Sequence, residues 1–141
     1  MTFKEWNAVI MIATSAIIAA WVVFESLSNP AVGLAAVAGR LVWAIGLSIL
    51  LNILLVIGMA IAVSIARREE FKDERADERD RAVNDRSMRN GYFVASITGL
   101  VCLVVLAAGA DPALAIYTLF GGLMLAGVAD AASRLVYYRL G

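Results

Sequence analysis

The sequence predicts an all-α, polytopic membrane protein of four transmembrane helices, arranged as two helical hairpins with a long charged cytoplasmic extension between helices two and three. Three observations predict it. Of 141 residues, 62% are apolar and 17% charged, against roughly 45–50% and about 25% in soluble domains. Sixteen of the 24 charged residues fall between Arg67 and Arg89, so water-facing surface is concentrated in one segment. The remainder divides into four long apolar stretches, 8–26, 40–66, 91–110 and 112–133, within a single membrane domain. At about 1.5 Å of rise per residue each is long enough for a hydrocarbon core about 30 Å thick, and backbone amides in lipid must be satisfied within the segment, which selects helices.

The first apolar run is longer than the core of a signal peptide, and Lys4-Glu5 before it carries no positive excess, so it reads as a retained anchor. A helix running from Pro30 to Ala66 would exceed one bilayer crossing. An interruption is therefore expected, with Gly33 and Gly39 as candidates and a tightly packed apolar turn or short interfacial helix over 31–38. Asn29-Pro30 and Asp111-Pro112 precede the second and fourth spans. Each has the form of a helix start, an N-capping side chain followed by proline at the first helical position. Small residues recur four apart at Gly58/Ala62/Ala66, Ala95/Gly99 and Gly122/Ala126, a spacing that lets helices approach closely in lipid, within one chain or between copies.

Eight Lys and Arg residues lie between spans two and three, Lys4 precedes span one, and Arg134 and Arg139 follow span four. The turns on the other side hold only Arg40, at the edge of span two. The positive-inside rule then places both termini and the central loop in the cytoplasm.

Residues 67–90 form the charged extension, free of Pro and Gly and expected to continue helix two as far as Asn90-Gly91. On a wheel of about 100° per residue, Glu69, Glu70, Asp73, Glu74, Asp77, Glu78, Asp80 and Asp85 share one half, and Arg68, Lys72, Arg75, Arg79 and Arg86 cluster in the other. Glu69/Asp73/Asp77 and Glu70/Glu74/Glu78 are like-charged columns that weaken an isolated helix. Opposed faces of this kind suit docking to a cytoplasmic protein partner or a second copy, giving a homo-oligomer, with Arg68, Lys72, Arg75, Arg79, Arg86, Glu70, Glu74, Asp77 and Glu78 as candidate contacts. Asp73, Asp77 and Asp80 are the candidate ligands if the carboxylates instead hold a hard divalent cation. The plain alternative is a solvated helix that keeps the loop soluble and fixes topology. Phe71, Ala76, Ala82, Val83 and Met88 form no single stripe, so contacts here are expected to be electrostatic rather than a coiled-coil seam.

Asp77-Glu78-Arg79-Asp80, followed by Val83, Arg86-Ser87 and Tyr92, resembles the D-E-R-D-x-x-[IV]-x-x-[RK]-[AS] signature of uncharacterised small four-span prokaryotic membrane proteins (DUF2178-like). The likeness covers about 16 residues and implies a multi-pass protein of a prokaryotic cell (inner) membrane, with no activity attached to the signature.

Within the spans, ionisable and amide groups are functional candidates because their burial in lipid is costly. They are Glu25 and Arg40, expected to pair at the outer interface, with Glu25 alternatively a proton- or cation-coupling carboxylate; Asn52, near the middle of span two and suited to an interhelical hydrogen bond or, with Glu25, to lining a transport route; and Asp130, expected to pair with Arg134 one turn on. Trp6, Trp21, Trp43, Tyr92, Tyr137 and Tyr138 sit near span ends, as interfacial aromatics do.

The sequence has no His and one Cys, Cys102, which leaves no disulfide framework and no imidazole or thiolate metal cluster. Gly-rich phosphate loops, nucleophile elbows and H-E-x-x-H are absent. With a net charge of zero there is no case for nucleic acid. The expectation is a non-enzymatic protein of the lipid bilayer without cofactor, acting as a self-associating scaffold, sensor or regulator. The alternatives are a small oligomeric transporter or channel and a divalent-cation sensor.

Overall fold

The computed structural model describes residues 3–67 and 78–140. They form four helices: α1 (Phe3–Ser28), α2 (Leu34–Arg67), α3 (Glu78–Ala107) and α4 (Pro112–Leu140). All four are long and apolar enough to cross a membrane. Lys4, Asp80 and Tyr138 meet at one end of the bundle, the charged end. The short α1–α2 and α3–α4 connections lie at the other, the turn end.

The two proline turns do different things. Asp111 is an N-cap: its Oδ1 accepts from the Ala113 amide at 2.9 Å, its carbonyl accepts from Leu114 at 2.9 Å, and α4 starts at Pro112. The preceding α3 ends in paired reverse bonds, Ala110 to Val105 at 3.3 Å and Gly109 to Leu106 at 3.0 Å, with Gly109 at φ 73°, the pattern of a Schellman cap. Asn29-Pro30, by contrast, does not start a helix. Asn29 closes the last turn of α1 through its amide to Glu25, and α2 begins only at Leu34, after Gly33 at φ 92°. Gly33 is thus the expected interruption, whereas Gly39 lies within the helix.

α4 is the centre of the structure, packed against each of the other three helices. α3 lies along its whole length, from Arg79 beside Tyr138 to Cys102, whose thiol reaches the Ala115 carbonyl at 3.5 Å. Small residues make this approach possible. A Cβ on Gly122 would overlap Thr98, and one on Gly91 would stand 3.1 Å from the Ala126 carbonyl oxygen. The Gly122/Ala126 pair therefore serves packing within the chain. In lipid such contacts gain dispersion energy rather than water-transfer energy, so steric fit matters more than apolar area.

The apolar core lies toward the turn end, where Ile18 and Val22 of α1, Val37, Leu41 and Ala44 of α2 and Phe120 of α4 converge. Those three are the only buried residues of α2 among the described ones. Only 6% of its most apolar window is buried, against 22% for α1. Neither α1 nor α2 packs against α3 among the described residues. The packing is thus unequal: α3 and α4 are in contact along their length, while the fully buried residues of α2 all lie toward its turn with α1.

Candidate functional site

At the charged end, the first turn of α1 meets the charged first turns of α3 and the last turns of α4. Lys4 of α1 forms an ion pair with Asp80 of α3. The Tyr138 hydroxyl donates to the other Asp80 oxygen at 3.0 Å, and Arg79 donates to the Tyr138 carbonyl at 3.3 Å. One to three turns along, Asn90 donates to Ser133 Oγ at 2.9 Å and to Tyr137 Oη at 3.0 Å, and Arg134 pairs with Asp130 at 2.8 Å. Asp130 is therefore a local helix partner, as its spacing predicts.

This geometry corrects the reading of the charged segment. Residues 78–89 open α3, which runs unbroken through Asn90-Gly91, so the expected stop there does not exist. Val83 and Ser87 are buried, Ser87 completely, and continue through Gly91 to Thr98 as the face set against α4. Contact by this segment is thus steric as well as electrostatic. The seam escapes a search for apolar residues because small and polar groups form most of it. Arg79 and Asp80, assigned to opposite faces, both reach the end of α4. Glu78 and Arg86 are exposed. Arg68, Glu70, Lys72, Asp73, Glu74, Arg75 and Asp77 lie outside the described residues. Of the three candidate cation ligands only Asp80 is described, and it is held by Lys4 and Tyr138.

Between α1, α3 and α4 at this end opens a cleft of about 380 Å³. α1 contributes Lys4 and Asn7, α3 contributes Asp80, Arg81, Asn84 and Asp85, and α4 contributes Arg134 and Tyr138.

Glu25 and Arg40 meet at the turn end, but not as side chains. The Arg40 guanidinium donates to the Glu25 backbone carbonyl at 3.2 Å and to the Asn29 carbonyl at 2.6 Å, while the Glu25 carboxylate accepts from Asn29 Nδ2 at 3.1 Å. Arg40 thus caps the carboxyl end of α1, where unpaired carbonyls carry partial negative charge. The expected ion pair is replaced by this cap.

Asn52 is two turns beyond Ala44 on α2. Val37, Leu41 and Ala44, which face α1 and α4, continue at helical spacing through Ser48, Asn52, Leu55, Met59 and Ala62. Burial stops at Ala44, although the stripe does not. Among the described residues Asn52 has no hydrogen-bond partner. A methyl group on Gly58 would meet no atom within 4 Å, so this part of the small-residue series is not used within the chain.

Four such helices define a multi-pass membrane protein by length and composition. No protein-family model, curated protein or solved structure matches the chain.

Proposed function

We propose that this chain is a non-catalytic, self-associating membrane protein, a scaffold or regulator that assembles along the inner part of α2 and presents its charged segment to a partner. The observation that carries this reading is Asn52. An amide at mid-membrane depth retains two donors and an acceptor that acyl chains cannot satisfy. It stands on a stripe that is fully buried at Val37, Leu41 and Ala44 and no further, with Ser48, Asn52 and Met59 half-buried and Leu55 and Ala62 exposed.

A second copy is the occupant that fits. A carboxamide is both donor and acceptor, so two Asn52 side chains related by a two-fold axis satisfy each other, as an isologous contact requires. Ala62 on the same stripe and Gly58 beside it permit close approach. The distribution of Lys and Arg supports a cytoplasmic charged end, with both termini on that side. There, residues 67–90 offer salt-sensitive docking to a cytoplasmic protein partner. The resemblance of residues 77–92 to the small four-span prokaryotic proteins supports a cell-membrane location.

Single-cysteine cross-linking tests the interface. With Cys102 replaced by Ala, Leu55→Cys should give a disulfide-linked dimer in native membranes, and a control at Leu103, exposed on α3, should not. Equal yields at both positions would reject α2 as the contact.

A further inference from the structure

We propose that the charged-end cleft between α1, α3 and α4 binds the headgroup of a zwitterionic phospholipid bearing a primary ammonium. The site is independent of the α2 interface.

The argument begins with charge. Of the ionic side chains around the cleft, Lys4 and Asp80 pair with each other, and Arg134 pairs with Asp130. Arg81 and Asp85 remain, one cation and one anion, with no partner among the described residues. They stand one turn apart on α3, about 6 Å along its axis. Their complement is a molecule with an anion and a cation joined by a short bridge. A phosphate linked through two carbons to an ammonium has that form: the guanidinium takes phosphate oxygens, and the carboxylate accepts N–H bonds from the ammonium. Asn7, which also faces the cleft without a partner among the described residues, supplies a neutral donor and acceptor.

The surroundings point to a lipid rather than a soluble zwitterion. α1 and α3 both lie on α4 but do not pack against each other among the described residues, and the cleft opens between them. Next to these ionic groups the sequence turns apolar, from Ala8 on α1 and from Tyr92 on α3, so the helices pass from charge to hydrocarbon-compatible residues as a phospholipid does. Half-exposed Trp6 and cleft-lining Tyr138 stand at the same level, where aromatic side chains mark the headgroup zone. The volume accommodates a headgroup with bound water.

The full-length protein, delipidated in mild detergent, is given phosphatidylethanolamine, phosphatidylcholine or phosphatidylglycerol singly and read by native mass spectrometry. One phosphatidylethanolamine per chain should survive collisional activation that removes the other two lipids. Arg81→Gln and Asp85→Asn should each lower retention at least tenfold, while Arg86→Gln, away from the cleft, should not. Free phosphoethanolamine at equal concentration should fail to displace the lipid. Equal retention of the three lipids, retention unchanged in both cleft variants, or a preference for phosphatidylglycerol that Asp85→Asn leaves intact would each overturn the proposal. Arg81 and Asp85 are exposed, so both variants should fold, and unchanged helical circular dichroism checks this.

Discussion

Gly122 of α4 lies directly beneath the side chain of Thr98 of α3, in a space that a single methyl group would overfill. Thr98 is buried, and its hydroxyl is turned back to the Val94 carbonyl at 2.9 Å. The position of one helix on the other is thus set by a missing side chain opposite a β-branched one. Gly122→Ala should destabilise the protein by about 1–3 kcal/mol, as overpacking does. Adding Thr98→Ala should recover part of that loss, since it removes the methyl and hydroxyl but leaves a Cβ 2.7 Å from the new one. Unfolding by sodium dodecyl sulfate in mixed micelles measures both, and additive losses would contradict the contact.

Arg40 acts on carbonyl groups rather than on a carboxylate, which makes two neighbouring substitutions unequal. Arg40→Gln removes charge-assisted bonds to Glu25 and Asn29 and should cost roughly 1–2 kcal/mol after allowance for partial exposure. Glu25→Gln leaves both acceptors in place and should change stability by less than about 0.5 kcal/mol. Thermal unfolding in detergent separates the cases. Equal losses would restore the side-chain ion pair.

Asp111→Ala should cost about 1 kcal/mol by removing the cap from α4. Hydrogen exchange at 113 and 114 should quicken in this variant, while exchange in the first turn of α2 stays unchanged.

The Lys4–Asp80 pair bridges helices that do not otherwise pack together among the described residues, yet its side chains are 32% and 21% exposed. Its coupling in a double-mutant cycle of Lys4→Met and Asp80→Asn should be no more than about 1 kcal/mol, and should shrink between low salt and about 0.5 M salt. Tyr138→Phe should leave the ion pair in place and loosen only the tie to α4.

The four helices are legible in the sequence because apolar length alone decides whether a segment can cross lipid. Asp111 and the Asp130–Arg134 pair are legible because each acts within one or two turns of itself. Asn29-Pro30 has the same local form as Asp111-Pro112 but a different outcome, since Gly33 turns the chain three residues later and Arg40 closes the end of α1 from across the turn. The seam of Val83, Ser87, Gly91 and Thr98 is hidden for a different reason. Hydropathy measures transfer from water, and helices in lipid meet through shape. Lys4 with Asp80, and Asn90 with Ser133 and Tyr137, are separated by tens of residues, so only the fold brings them together. Asn52 stands out by its depth; that the chain itself does not satisfy it follows only from where α2 stops packing.

The most direct measurement is the dimerisation isotherm of donor- and acceptor-labelled protein in bilayers of increasing lipid-to-protein ratio, read by resonance energy transfer. Wild-type protein should associate reversibly. Asn52→Leu, which removes the amide and keeps an apolar side chain, should weaken association about 3- to 30-fold, the range set by one intramembrane hydrogen bond. Asn52→Gln should retain most of it. Association that is absent in the wild type, or identical in Asn52→Leu, would contradict assembly through α2.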